Sequence, residues 1–192
     1  CVGRRVDNLR EIEAVSAVTK RALAFVNEKM SPAWNALAEG IRVRAEVAGL
    51  DLRARVTAGE RCLSPSDFGF HNAIFRAESE LVIIDFEYAG WDDPAKMICD
   101  FFCQPQVSVG EEYLPGFIEQ VENALSADEQ LGHRVAMLFP VYRLKWCCIM
   151  LNPFLSEGAV RRRFSGEGGQ LTDQIDKAEA AFRKPPLIMD LS

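Results

Sequence analysis

The chain has 192 residues, 48% of them hydrophobic, with a formal net charge of −6 and a sequence pI of about 5.1. That length and apolar content suit a single domain over 1–192 with a real core, and they exclude global disorder. The acidic balance speaks against a nucleic-acid partner, which needs a basic face, and no run reaches the ~18 consecutive apolar residues of a membrane span.

From Asn8 to about Lys29 the apolar residues Leu9, Ile12, Val15, Val18, Ala22, Phe25 and Val26 recur at three and four. This predicts one amphipathic helix, with Asn8 and Glu11 as a loose capping box. Ser31 and Pro32 predict the cap and first turn of a second helix, with Trp34, Leu37, Ile41 and Ala45 on one face and Gly49 as its stop. RCLS reads as a short strand, and NAIFRA and ELVIIDF as a β-hairpin joined by the turn AESE. Asp92-Asp93-Pro94 opens a helix through PAKMICDFFCQ. Glu111 to Leu125 is the next helix, and Ser126 with Glu129 caps another running to about Leu151, which Pro140 should kink or break. The glycine-rich, basic SEGAVRRRFSGEGGQ reads as a mobile loop; a last helix from Leu171 to Phe182 precedes an extended tail. The expected fold is mainly α with a small β-hairpin: a helical body, 8–49 and 111–182, carrying a loop and hairpin at 61–102.

Six cysteines form no CxxC pair and only two histidines occur, so a zinc site does not fit. Buried, reduced thiols point to a cytoplasmic location. The start, CVGRRVDNLREIE, has no signal-peptide core and no initiating Met, so the chain reads as a trimmed piece.

The chemistry concentrates in SPSDFGFHN and the following VIIDFEYAG. Phosphoryl transfer asks for a carboxylate that orients or deprotonates a hydroxyl and for oxygen ligands to Mg²⁺, which keeps several waters. A loop D-x-x-x-x-N with a second Asp ending a later strand supplies both: Asp67 as base, Asn72 and Asp85 as metal ligands. A lone D-x-x-x-x-N is an ordinary Asx-turn pattern; joined to Asp85 and the D-P segment it favours a catalytic origin.

SPSDFGFHN followed by VIIDFEYAGWDDPAKMICDFF resembles the C-terminal lobe of the aminoglycoside phosphotransferase and choline kinase superfamily, over about Arg61 to Phe102. The resemblance implies a protein-kinase-like fold and an ATP-dependent phosphotransferase acting on a hydroxyl of a small molecule, with Mg²⁺ and ATP as cofactors. The catalytic Asp is then Asp67 and the metal and nucleotide ligands Asn72 and Asp85, while Glu87 stands behind the metal or on it. Asp93 and Asp100 match the D-P segment and are expected to buttress the loop. Two departures stand out. The family's His two before the base is Pro65, so the loop's bracing must come from elsewhere. No glycine-rich hairpin and no strand lysine precede the loop, so the chain reads as a C-lobe whose N-lobe is missing or lies on a partner chain, and as inactive alone. The alternatives are a non-catalytic kinase-like scaffold and, further off, a metal-dependent hydrolase, which would call for more histidines or acids.

Other features have bland explanations that weigh more. His71 beside Asn72 reads as a packing or hydrogen-bonding residue, without a proton-transfer role. Tyr142 and Trp146 could form a box for a cation but read better as a packed helix face. The acids Glu111, Glu112, Glu119, Glu122, Asp128 and Glu129 could draw a cationic acceptor, and RRRF at Arg161 to Phe164 an anion; solvated faces are the commoner reason for both.

Overall fold

The expected helix from Asn8 does not form; its register is interrupted. In the computed structural model, which describes residues 2–47, 49, 51–76, 80–125, 130–155 and 170–184, α1 (Val2–Leu9) ends where that helix should begin. Tight turns close it, with Arg10 N on Asp7 O and Glu11 N on Asn8 O, both at 3.1 Å. Asn8 therefore lies in a last helical turn and caps nothing. The true start is Ser16, extended at φ −132°, whose Oγ accepts from Thr19 N while Thr19 Oγ1 accepts from Ser16 N. That reciprocal box hides inside the apolar period because Leu9 and Ile12 are buried on either side of the break, while Val15, which also fits the period, is 80% exposed.

Ser31 is not a cap either. α2 (Ala17–Phe25), a π-turn (Val26–Met30) and α3 (Ser31–Val47) form one continuous helical run. Pro32 lacks an N–H and its ring crowds the carbonyl four residues back. The widened turn absorbs this, with Ser31 N bonding Val26 O. Ser31 is buried and its Oγ accepts from Arg10 Nε at 3.2 Å. Past α3, Gly49 takes φ +65°, a left-handed position that glycine fills without strain.

The chain divides into two compact units. The first gathers Cys1–Leu52 and Arg143–Pro185. In it α2 packs on α7 (Gln170–Phe182), with Phe25 and Phe182 edge-to-face at 5.4 Å and Arg21 paired to Asp176 and Glu179 at 2.8 and 3.0 Å. Cys147 and Cys148 are buried here, and burial pushes each thiol from the ordinary 9.0 up to about 12. Alkylation of the native chain at pH 8 should therefore spare both, while the denatured chain labels at all six cysteines. The sign of the linkage follows: as pH rises from about 9 toward 12 the unfolded chain sheds protons that the fold retains, so stability falls across that window. Rapid native labelling of Cys147, read by mass spectrometry, would refute this burial.

The second unit is built on Arg53–Tyr142 and holds every predicted site residue. β1 (Cys62–Ser64) pairs antiparallel with β4 (Gly90–Asp92), in the register Cys62↔Asp92, Leu63↔Trp91 and Ser64↔Gly90. β2 (Ala73–Phe75) pairs with β3 (Leu81–Ile83) as the expected hairpin, from Ala73↔Ile83 to Phe75↔Leu81. The strand β4 had no period to betray it, at three residues long. α4 (Pro94–Cys103), α5 (Leu114–Leu125) and the start of α6 (Leu131–Leu151) enclose a core of Ile98, Cys99, Phe101, Phe102, Leu114 and Phe139, among others.

Of the kink or break expected at Pro140, the break does not occur: α6 runs on through it. Burial of Leu131, Val135 and Phe139 before it and Leu144, Cys147, Cys148 and Leu151 after it outweighs the local cost of ~3 kcal/mol. With the turn Asn152–Phe154, this helix is long and apolar enough by composition to cross a membrane, a test that a buried core helix also passes. Residues 77–79 of the turn AESE, the cap at Ser126 and Glu129, residues 156–169 of the glycine-rich loop with RRRF, and most of the tail lie outside the described residues. The fold is thus mainly helical with two small two-stranded sheets.

Candidate functional site

The loop from Pro65 to Asn72 is pinned from below by aromatic rings. Phe68 and Phe70 flank Gly69, and their centroids lie 4.9 and 5.2 Å from that of Phe101 on α4. Phe101 in turn stacks on Phe117 of α5 at 5.1 Å and 11°. The two phenylalanines of SDFGFHN are therefore anchors for the loop. Ser66 sits at φ +68°, with its N–H on Ser64 Oγ at 3.2 Å, so the backbone turns sharply just before Asp67.

Asp67 is held at both ends. Asn72 Nδ2 donates to its backbone carbonyl at 2.9 Å, and His71 Nε2 lies 3.3 Å from its Oδ1. A turn of 3₁₀ helix, Phe70–Asn72, then feeds directly into β2. Ile84 N donates to Asn72 O at 2.8 Å, extending the hairpin by one pair. Asp85 is the next residue, exposed and at φ +62°. The hairpin register thus returns the Asp85 strand end to the Asn72 end of the loop, as the sequence spacing implied.

The donor set suits a hard cation in part. Because the Asn72 amide nitrogen is committed to Asp67 O, its oxygen is the open atom, the kind that magnesium takes. Asp85 joins no ion pair among the described residues. Glu87 shares a hydrogen bond with the Tyr88 hydroxyl, which pushes that phenol up, and both side chains are exposed. No group of three or more His, Cys, Asp or Glu side chains converges among the described residues, so the arrangement offers an amide and a carboxylate rather than a carboxylate cage.

Asp93 and Asp100 buttress α4. Asp93 caps it through Ala95 N at 2.9 Å and takes a two-pronged contact from Arg134 of α6, at 3.1 and 3.3 Å. Asp100 is 1% exposed, with Lys96 Nζ at 3.5 Å and Asp92 on the same ammonium at 2.6 Å. Both acids therefore act on the helix that carries Phe101, and only through it on the loop. Tyr142 packs on the core of this unit, its phenol pushed up by burial and then by Asp100, while Lys145 covers the Trp146 ring face at 5.7 Å. Glu112 and Glu119 are exposed, as a solvated face requires, and Asp128 and Glu129 fall outside the described residues.

Sequence reasoning gave His71 a packing or hydrogen-bonding place without naming a partner; the structure puts its side chain, only 8% exposed, against the Asp67 carboxylate. No local signal marks this, since the contact depends on how the loop folds over α4. Compared with known proteins, the chain matches no family model, no curated protein and no solved structure.

Proposed function

We propose that this chain is the C-terminal lobe of an ATP-dependent phosphotransferase that carries the γ-phosphate of ATP to a hydroxyl of a small molecule. One observation carries the reading: the hairpin register that sets Asn72 and the strand end at Asp85 together, beside a loop that presents Asp67. Asp67 accepts the proton of the acceptor hydroxyl and aims its oxygen. Asn72 and Asp85 supply oxygens to Mg²⁺, with Glu87 near them. Bound magnesium would neutralise charge between the β- and γ-phosphates. Ile74, Phe75, Ile84, Phe86, Tyr88 and Trp91 are exposed apolar side chains around the site, the kind that an N-terminal lobe or partner chain would cover. An acidic chain suits a cationic acceptor, and a cytoplasmic setting suits its free thiols.

The second reading, a non-catalytic kinase-like module, draws support from the open setting of Asp85 and Glu87 and the want of any three-residue acidic cluster among the described residues. Calorimetric titration with Mg-ATP separates the two in part: binding lost with Asp85 favours the phosphotransferase, whereas no binding by this chain fits either. Asp85→Ala should weaken binding at least about 10-fold, the loss expected for one charged metal ligand. Equal affinity in the two proteins would remove Asp85 from the metal site. A glycine-rich hairpin and a strand lysine encoded upstream of Cys1 would favour the phosphotransferase.

A further inference from the structure

We infer that His71 is a positioning residue for Asp67, orienting its carboxylate from beneath the loop. This deepens the reading of Asp67 as the base and takes its functional meaning from it; the geometry stands separately. The His71 side chain is 8% exposed and neither ring nitrogen makes a hydrogen bond, yet Nε2 lies 3.3 Å from Asp67 Oδ1. A buried imidazole without a partner is uncommon, and this carboxylate is the acceptor within its reach. A small rotation of either group turns the contact into an Nε2–H···Oδ1 hydrogen bond.

The loop is shaped to keep the ring there. A Cβ on Gly69 would stand 2.7 Å from Nδ1 and 2.8 Å from Cε1 of His71, so only glycine lets the ring lie against the backbone at that point. The same Cβ would meet Gln104 Cγ at 3.0 Å. Gln104 is itself immobilised: it is 1% exposed, its Oε1 accepts from the backbone of Gln106 and Val107, and its Nε2 donates to Val107 O. The imidazole is thus closed in on its Nδ1 side and faces Asp67 with Nε2. Asn72 holds the Asp67 carbonyl from the other side. With Oδ1 engaged by His71, Oδ2 is the oxygen left for an incoming hydroxyl. His71 thereby supplies the bracing that Pro65 cannot.

Proton NMR of the full 192-residue chain tests this without turnover. A histidine ring N–H donated to a carboxylate exchanges slowly and resonates at low field. We expect one such signal from His71, assigned by its loss in His71→Phe, with His133 as the internal reference. Asp67→Ala should abolish it, whereas Asp67→Asn, which retains an acceptor oxygen, should keep it with a changed shift. No protected low-field signal in the wild type, or the same signal in Asp67→Ala, would overturn the pairing. Absent Mg-ATP binding by this chain fits a lobe without its nucleotide-covering half as well as a scaffold, and leaves this signal to decide the role of His71.

Discussion

Asp67→Asn is expected to lower phosphoryl transfer by about 10²–10⁴-fold, the usual contribution of a positioned general base. Mg-nucleotide affinity should stay within about twofold, because the oxygens assigned to the metal belong to Asn72 and Asp85. The substitution preserves shape, and the bond from Asn72 Nδ2 to the backbone carbonyl of residue 67 does not depend on the side chain. The split between turnover and binding is what distinguishes a base from a loop residue whose loss merely unsettles its neighbours. Steady-state kinetics in a preparation that turns over ATP, paired with calorimetry, measure the two sides. Near-normal turnover in the variant would sink the assignment.

The largest loss of stability should come from Phe101→Ala, at about 3–5 kcal/mol in denaturant unfolding. Phe101 is 5% exposed and its ring lies 4.9 to 5.2 Å from those of Phe68, Phe70, Phe102 and Phe117. Truncation removes its own burial and leaves a cavity lined by four aromatic rings that cannot all collapse into it. Because two of those rings belong to the loop, amide exchange between Phe68 and Asn72 should accelerate as well. Phe75→Ala is the control: Phe75 is 75% exposed on the hairpin and its loss should cost no more than about 0.5 kcal/mol. A cost below ~1 kcal/mol for Phe101→Ala would mean that the aromatic cluster does not hold the loop.

These two outcomes join the fold to the site. The residues proposed to bear chemistry in SDFGFHN sit on a loop held by its phenylalanines. Asp93 and Asp100 matter in the same indirect way. They fix α4 by its cap and by Lys96 and Arg134, and α4 places Phe101. A carboxylate in a motif is often assumed to act on substrate; here the distances give these two a mechanical task.

Where local chemistry was unambiguous, the chain could be read directly. Asp93 before Pro94 named the start of α4, Gly49 the end of α3, and the runs NAIFRA and ELVIIDF with a short turn between them the hairpin, since caps, left-handed turns and short turn-linked strands are decided by near neighbours. The approach of Asn72 to the strand end at Asp85 was legible for the same reason: hairpin pairing converts their spacing into proximity. What could not be read depended on residues far apart in the chain. The apolar period from Leu9 to Val26 fits one helix as well as two, and only packing, which buries Leu9 and Ile12 but exposes Val15, selects the break at Ser16. Pro32 looked like a helix start and Pro140 like a kink or break, yet a π-turn absorbs the first and burial along α6 carries the helix on through the second. β4 exists because Cys62–Ser64 lies beside it, not because of its own three residues. The same holds for His71: its place against Asp67 comes from a loop folded over α4 with Gly69 and Gln104 behind it, an arrangement written in contacts between distant segments and in no local pattern.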